Sequence, residues 1–387
     1  MELNQPRKYL LLDFELSEEQ RLMQKAVREL AEKSIAPRAA ECDRSGNFPW
    51  ENIKELSRLN VLGVATSTKF GGTGAGFLSY AVIIEELAKA CANTSFICAV
   101  HAGLAATTLE LFGTEEQKNR YLTPLAKGER LGAFALTEPG AGSDVSSLQT
   151  NALLEGDEYI LNGSKCFITN TGQAETYVVF ASDKTKGRTS AFIVEKGTPG
   201  FSFGKIEDKV GLRASANGEL IFKNCRVPKG NLLGSAGEGM KIALSSLDRG
   251  RIGAAAMAVG IGTAALNVAK SYARERVQFG QPIASLEAIQ FKVADMATEI
   301  DAARLLTYRA AQLADRGARF TREASMAKLY SSEAAMRATL EAVQIMGGYG
   351  LSREQAVERH MRDAKALALI EGTSEIQRLV ISRSELK

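Results

Sequence analysis

The chain of 387 residues has very little histidine and few cysteines. Its two histidines, His101 and His360, are too few for a histidine-rich metal site, and a Ser-His-Asp triad would have to use one of them. No GxSxG nucleophile motif is present. The five cysteines are scattered without a CxxC pair, which is typical of free thiols in a reducing compartment. We therefore expect no metal site and a cytoplasmic protein.

Charge of one sign and long apolar segments are also scarce. The net charge of +3 is too small for a general polyanion-binding surface, so we expect no nucleic-acid partner. Residues 252–269 form one uncharged run that approaches a membrane span in length. Because alanine and glycine dominate this run, we interpret it as a tightly packed bundle helix and expect no membrane insertion. The apolar residues 9–12 are too few and too close to charges for a signal peptide.

What the chain does have is an apolar pattern whose period changes twice. Two capping boxes, Ser17 to Gln20 and Thr114 to Gln117, begin helical patterns in the first third. Short strand-like runs follow, and the last third carries a helical stripe at Ile289, Val293, Met296 and Ile300. We predict an α+β protein with a helical domain at 1–130, a small β-barrel or sandwich at 131–238 and a four-helix bundle at 239–387.

The middle segment contains the clearest turn signal. Residues 159–161 and 164–169 flank Asn162-Gly163, a dipeptide that favours a two-residue hairpin turn. We therefore predict a hairpin at this dipeptide. Further strands are predicted at residues 177–180, 191–194 and 220–222.

Two glycine-rich strings resemble nucleotide-binding motifs only superficially. Residues 260–265 read GxGxxA, but no strand precedes them and they lie within a predicted helix. Residues 71–76 lack the GxGxxG spacing. We interpret the first string as part of a helix and the second as a loop between helices, and we expect no dinucleotide site at either.

Three other strings have the composition for a close approach to a cofactor. Residues 134–144 combine a proline with two glycines at the junction of the first two domains. Residues 344–351 place three glycines after a helix, and residues 276–282 supply an arginine fork and a phenylalanine. Taken singly, an interdomain turn, a helix C-cap and an exposed loop arginine explain the same strings.

Glu371 stands beside Gly372, between a predicted helix at 362–370 and an amphipathic segment at 376–381. A break in the helix at this point would let the carboxylate project into a cleft. On its own, such a Glu-Gly pair is usually a solvated helix end.

The three strings and the Glu-Gly-Thr near the end, in this order, resemble the FAD-dependent acyl-CoA dehydrogenases over essentially the whole chain. The resemblance implies α,β-dehydrogenation of an acyl-CoA to the 2-enoyl-CoA, in the degradation of fatty, aromatic or alicyclic acids. Glu371 would remove the α-proton and N5 of FAD would accept the hydride. It also implies a homotetramer (a dimer of dimers) that passes electrons to an electron-transfer flavoprotein, and a bacterial, cytoplasmic enzyme or the mature form of a mitochondrial one.

The same resemblance assigns the binding residues. The isoalloxazine side of FAD would be contacted by Phe134, Leu136, Thr137, Gly142, Ser143, Phe167, Ile168 and Thr169. Thr373 and Glu375 would also contact FAD. The diphosphate and adenosine of FAD would be held across a subunit interface by Arg276, Phe279, Gln344, Ile345, Met346, Gly347 and Gly348. The acyl-CoA would contact Phe96, Ser143, Leu247, Asp248, Arg251, Ile370 and Gly372.

Three positions depart from the family pattern. Ile370 replaces the aromatic residue that commonly precedes the base, which changes the pocket beside the reacting carbons. Glu287 stands where glutamine is usual and would bring a carboxylate near the diphosphate. Gly250 occupies the place where some branched-chain members carry their base, which supports Glu371 as the sole base.

The acyl group is predicted to be short or medium. Because Ile370 leaves more room than an aromatic ring, we favour a branched or cyclic group, such as cyclohexanecarboxyl-CoA, over a long straight chain. Butyryl-CoA, with a short straight chain, is the alternative substrate. Phe96 is a candidate plug against long tails, and His101 is expected to be a hydrogen-bonded core residue.

Two other functions are compatible with this resemblance. An acyl-CoA oxidase would keep the fold and pass electrons to oxygen. A non-enzymatic relative would keep FAD and bind nucleic acid or a partner protein, but Glu371 and the small net charge count against it. The sequence leaves the electron acceptor and the physiological direction open.

Overall fold

The computed structural model describes residues 15–386. Residues 9–12, for which we excluded a signal peptide, lie outside this range. All five cysteines lie inside it, and each is free.

The first part of the chain is helical. Its main helices are α1 (Glu18–Leu30), α2 (Ala36–Ser45), α3 (Trp50–Arg58), α4 (Gly76–Ala90) and α5 (Ala92–Phe112), followed by a helical run at 115–126. Within α5 the turns at His101–Ala106 are wider, of the π type. Both predicted capping boxes are confirmed, because the Ser17 and Thr114 side chains each accept from the third helical N–H while a glutamine reaches back.

The middle part is a β domain, as predicted. Its strands are β1 (Gly132–Ala135), β2 (Asn151–Glu155), β3 (Glu158–Thr169), β4 (Thr176–Asp183), β5 (Arg188–Glu195), β6 (Phe201–Ile206), β7 (Asn217–Pro228) and β8 (Leu232–Leu233). They form one sheet in the order β6-β7-β3-β2-β4-β5-β8, and β1 pairs in parallel with β4. The strands predicted at 177–180, 191–194 and 220–222 lie within β4, β5 and β7.

The predicted hairpin at Asn162-Gly163 is wrong. Strand β3 continues through this dipeptide, and the two-residue turn that joins β3 to β2 is Gly156-Asp157. Pairing with β7 shifts register at the dipeptide, which is therefore a β-bulge. A Cβ added to Gly163 would lie 2.6 Å from the Cα of Thr150. The glycine thus serves a close approach between two chain segments rather than a tight turn.

The last part is helical again. Its helices are α6 (Gly239–Glu275), α7 (Glu287–Asp315), α8 (Thr321–Met346), α9 (Ala356–Leu367) and α10 (Ser374–Glu385). A two-stranded ribbon, β9 (Val277–Gln278) and β10 (Gln281–Pro282), follows α6. Helices α6, α7 and α8 pack against one another, and α9 and α10 pack on α8. The predicted stripe on α7 faces this core, where Met296 and Ile300 are buried.

Helix α6 also packs on α4 and links the two helical domains. A Cβ at Gly260 would lie less than 3.0 Å from the carbonyl oxygen of Glu85, so this glycine of the GxGxxA string lets the two helices approach. By length and composition alone, α5 and α6 could each cross a membrane, but 83% and 78% of their most apolar windows are buried inside the protein. Core helices of soluble proteins pass the same test.

Candidate active site

Glu371 and Gly372 form a left-handed turn between α9 and α10, with φ angles of 55° and 89°. Helix α9 ends at Leu367, three residues before the predicted end, and the Thr373 side chain caps α10. A left-handed conformation costs about 1–3 kcal/mol at a non-glycine residue, and it persists only where the surroundings hold it. The turn aims the side chain of Glu371 away from the helix faces and into the protein.

Three side chains hold this turn by its carbonyl groups. Lys328 of α8 donates to the carbonyl of Gly372 at 2.8 Å. Gln377 of α10 donates to the carbonyls of Glu371 and Gly372 at 3.0 and 2.9 Å. Nε of Arg251, on α6, approaches the carbonyl of Glu371 at 3.4 Å. Because these donors come from three helices, they fix the position of the turn relative to the bundle.

The carboxylate of Glu371 has the environment of a general base. Its Oε2 atom is buried and has no hydrogen-bond partner within the described part of the chain. Burial raises the pKa of Glu371 to about 7, although the charges of Arg251 and Lys328 lower it. A carboxyl group with this pKa is about half ionised near neutral pH, so it can both accept and release a proton there.

Asp248 and Arg251 form a buried ion pair one turn apart on α6. Their Oδ1 and Nη1 atoms are 2.7 Å apart, and the hydroxyl of Thr321 donates to Oδ2 of Asp248 at 2.6 Å. Burial raises the pKa of Asp248. Both oxygens of Asp248 are thus engaged within the protein, and they orient Arg251 towards the Glu371 turn. Leu247, which we predicted to contact substrate, lies beside this pair and is half-buried.

Helix α5 connects the surroundings of Glu371 to the β domain. His101 accepts the N–H of Gly132 at Nδ1 (3.0 Å), and its Nε2 lies 3.1 Å from the carbonyl of Leu125. Since Nδ1 accepts, Nε2 carries the proton, and burial lowers the pKa of His101 to about 4. The core interpretation of His101 is confirmed. One turn later, Leu104 lies 2.7 Å from the position of a Cβ on Gly250, beside Glu371.

The structure brings the first predicted string against the end of β3. The carbonyl of Thr137 accepts the N–H of Cys166 at 3.0 Å. Phe167 sits at a bulge in β3 with a φ of 55°, and 62% of it is exposed. Phe134, Leu136, Ile168 and Thr169 are buried, whereas Gly142 and Ser143 are exposed on the following loop.

The second and third strings meet at the far end of α6. Arg276, Ile345, Met346, Gly347 and Gly348 line one groove with a volume of about 660 Å³. The guanidinium of Arg276 lies 5.9 Å from the ring centre of Tyr349. Gln344 is exposed nearby, and Phe279 on the β9–β10 turn is 90% exposed with a φ of 53°. Glu287 is the first residue of α7, where the helix dipole favours a carboxylate.

The chain matches the N-terminal, middle and C-terminal domains of acyl-CoA dehydrogenase over residues 17–129, 133–225 and 237–386. It belongs to the acyl-CoA dehydrogenase family. It is 49% identical to the short-chain specific acyl-CoA dehydrogenase of Clostridium acetobutylicum, over 96% of this chain and 99% of that protein. Like its relatives, it is an FAD-dependent oxidoreductase, of the short-chain type.

Two solved structures superimpose closely on this acyl-CoA dehydrogenase. Butyryl-CoA dehydrogenase from Megasphaera elsdenii has 47% identity and a TM-score of 0.95, over 97% of this chain and 100% of that chain. A chain in the structure of the electron transferring flavoprotein of Acidaminococcus fermentans, from work on flavin-based electron bifurcation, has 49% identity and a TM-score of 0.96. That match also covers 97% of this chain and 100% of that chain.

The residues of the acyl-CoA dehydrogenase fit FAD on structural grounds. Phe167 presents an exposed ring beside Thr137, on which the flat isoalloxazine of FAD could stack. Within residues 15–386, Arg276 lines the open groove with its guanidinium against Tyr349, and Cβ positions at Gly347 and Gly348 have no heavy atom within 4 Å. A guanidinium beside open backbone suits a diphosphate. No group of three or more potential metal ligands occurs in the same described range.

Sequence reasoning missed the buried pair Lys165 and Glu138. Their Nζ and Oε1 atoms are 2.7 Å apart, and Nζ also donates to the carbonyl of Leu136 at 2.9 Å. Glu138 accepts the N–H groups of Gln149 and Thr150. The pair therefore holds the loop that carries Thr137 and Ser143. Its only signal was a lysine within the strand-like run at 164–169.

Proposed function

We propose that this acyl-CoA dehydrogenase oxidises a short acyl-CoA to the 2-enoyl-CoA with Glu371 as the catalytic base. The single observation that carries the proposal is the buried Oε2 of Glu371, which has no partner among residues 15–386, on a strained turn held by three helices. A buried carboxylate without a partner is costly for a fold, so its retention indicates chemistry. The similarity to short-chain and butyryl-CoA dehydrogenases supports the substrate class.

Glu371 would remove the acidic hydrogen from Cα of the thioester as a proton, while a hydride leaves Cβ, so that a C=C bond forms between the two carbons. FAD supplies the hydride acceptor when it is bound. The N–H of Glu371 makes no backbone hydrogen bond within the described residues, so it is free to donate to the thioester carbonyl. Such a donation stabilises enolate character as the proton leaves. Arg251, Lys328 and Gln377 keep the turn in place throughout.

We further propose that the groove at Arg276 serves the FAD of another subunit. Arg276 lies 26 residues after Gly250, at the end of the same continuous helix. At the α-helical rise this separation is about 39 Å, longer than an extended FAD molecule. The groove is therefore too far from Glu371 to complete the site of its own subunit. This geometry supports a homotetramer or dimer in which Arg276, Phe279 and the 344–348 segment reach a neighbouring flavin.

An electron-transfer flavoprotein is the proposed electron acceptor. The similarity to a chain from the structure of such a flavoprotein supports this partner. The same similarity favours a second candidate function, the reverse reaction, in which an enoyl-CoA is reduced with electrons from a bifurcating flavoprotein. An oxidase would instead be reoxidised rapidly by oxygen. Stopped-flow reoxidation of the reduced enzyme by air, by the oxidised flavoprotein and by a 2-enoyl-CoA separates these activities.

Anaerobic titration of the purified protein tests the central proposal. Butyryl-, hexanoyl-, octanoyl-, palmitoyl- and cyclohexanecarboxyl-CoA are added in turn, and bleaching of the flavin absorbance is followed. We expect rapid bleaching by short thioesters. Glu371→Gln should keep FAD and bind the thioester, yet lose about 10²–10⁴ in bleaching rate.

Glu299→Gln is the matched control, because this glutamate pairs with Arg337 on a neighbouring helix and is remote from the turn. It should bleach at the native rate. A Glu371→Gln enzyme that bleaches as fast as the control would refute Glu371 as the base.

Light scattering of the FAD-loaded enzyme tests the assembly, and a fully active monomer would refute the shared flavin site.

A further inference from the structure

The hydroxyl of Tyr80 lies where three helices meet. Tyr80, on α4, is fully buried and donates to the carbonyl of Ala99 on α5 at 3.1 Å. A Cβ added to Gly103 on α5, or to Gly253 on α6, would come within 3.0 Å of the same hydroxyl oxygen. The two glycines are therefore required because the phenol occupies the space in which their side chains would lie. Gly103 also lies within the wider π turns of α5, a feature that is frequent at functional sites.

This hydroxyl is close to the catalytic carboxylate. Gly250 and Gly253 are three residues apart and face the same side of α6, about 4.5 Å apart along the helix. Oε2 of Glu371 lies 2.7 Å from the Cβ position of the first, and the hydroxyl of Tyr80 lies against the second. Burial, followed by the negative charge of Glu371, raises the pKa of Tyr80, which keeps the phenol neutral. One turn of α6 thus separates the base from a neutral, rigid side chain.

We propose that Tyr80 is a specificity-determining residue that limits the depth available to an acyl group beside Glu371 and restricts this enzyme to short acyl groups. The inference rests on the proposed function, because it assumes that the acyl chain is held beside Glu371. A chain that extends past the carboxylate between α4, α5 and α6 meets the phenol after about one helical turn. Since Tyr80 is fixed by the Ala99 hydrogen bond and by two glycine backbones, it cannot move aside without disrupting three helices.

Phe96, the plug suggested by the sequence, is less well placed for this role. It is buried on α5, eight residues before Leu104, the α5 residue beside Gly250 and Glu371. That separation is about 12 Å along the helix. Ala99 and Gly103 lie between Phe96 and Leu104, and both contact the hydroxyl of Tyr80. A growing acyl chain therefore reaches Tyr80 before it reaches Phe96.

Binding and turnover of matched chain lengths test this role. The probes are S-butyl-CoA and S-octyl-CoA, thioethers that lack the carbonyl and do not react, measured by calorimetry on the FAD-loaded enzyme. Tyr80→Leu and Tyr80→Ala should each raise the ratio of octyl to butyl affinity at least about ten-fold, as accommodating added methylenes does in an apolar pocket. The ratio of kcat/KM for octanoyl-CoA to that for butyryl-CoA should rise in parallel.

Tyr121→Leu is the matched control for loss of a buried tyrosine. Tyr121 is equally buried and bonds to Glu195 and Asn231, at the junction with the β domain. It should lose stability without a change in either ratio. If folded Tyr80→Leu keeps the native ratios, or if Tyr121→Leu changes them equally, the inference is overturned. Failure of the proposed function is distinct, because then no acyl-CoA bleaches the native flavin. If Tyr80→Ala does not fold, Tyr80→Leu decides.

Discussion

The carboxylate of Glu371 lies directly against the backbone of Gly250: a Cβ added to this glycine would be 2.7 Å from Oε2. Two distant positions of the chain, one on α6 and one between α9 and α10, therefore converge on the same point. A glycine is required at residue 250 because the carboxylate of Glu371 and the side chain of Leu104 fill the space beside it. The contact also means that a carboxylate carried by residue 250 would enter the space that Glu371 now occupies.

We predict that the base can be moved between these positions. Glu371→Gly should lose most activity. The double variant Glu371→Gly with Gly250→Glu should react at least about ten-fold faster than Glu371→Gly alone, because a general base contributes about 10²–10⁴ in rate. The measurement is the rate of flavin bleaching by butyryl-CoA. Gly230→Glu in the same background is the control. Gly230 lies on the connection between β7 and β8, and no heavy atom of the described residues lies within 4 Å of its Cβ position. Equal recovery in both double variants would contradict the prediction.

Lys328 is one of two cations that counteract the effect of burial on the base. Its charge lowers the pKa of Glu371, as does that of Arg251, while burial raises it to about 7. Lys328→Met removes one of these charges, so the pKa of Glu371 should rise further. Because the base must be ionised, the ascending limb of the kcat/KM profile should move to higher pH. Lys292→Met, which removes a charge paired with Glu341, should leave the limb in place. An unmoved limb in Lys328→Met would show that the lysine has only a structural role.

The buried pair of Lys165 and Glu138 should carry much of the stability of the cofactor loop. Lys165→Met leaves the Glu138 carboxylate buried without its cation, a change that costs about 3–5 kcal/mol. Chemical unfolding should show this loss, and FAD should dissociate more readily because the 136–150 loop is released. Lys165→Met together with Glu138→Gln should regain part of the stability, since the uncompensated charge is gone. A double variant as unstable as the single one would argue against this assignment.

The architecture could be predicted from the sequence because it depends on periodicity and on local signals. The capping boxes at Ser17 and Thr114 and the apolar stripe on α7 are properties of short segments, and all were confirmed. The hairpin at Asn162-Gly163 failed for the opposite reason. That dipeptide favours a turn locally, but the backbone of Thr150, from another segment, determines its role as a bulge.

The site could be predicted only in part. The Glu-Gly break in a helical pattern was only a weak sign of Glu371, and the family resemblance implied its role as the base; the structure adds the left-handed φ and the buried oxygen. Tyr80, Lys165 and Lys328 were not identified, because a polar residue in an apolar helix or strand gives no sign of what it meets across the fold. The FAD and substrate contacts, the domain limits, the assembly and the cytoplasmic location stay predictions.

The substrate prediction depends on Ile370, which precedes the base, is half-buried and packs on the main core. A β-branched side chain leaves volume beside the reacting carbons that a flat aromatic ring would fill. Ile370→Tyr should therefore favour butyryl-CoA over cyclohexanecarboxyl-CoA by at least about ten-fold in the ratio of kcat/KM values. Leu369→Tyr is the control, because Leu369 is 57% exposed and a ring there enters solvent. If Ile370→Tyr leaves the ratio unchanged, or if the native enzyme prefers palmitoyl-CoA, residue 370 does not shape the pocket for a ring or a branch.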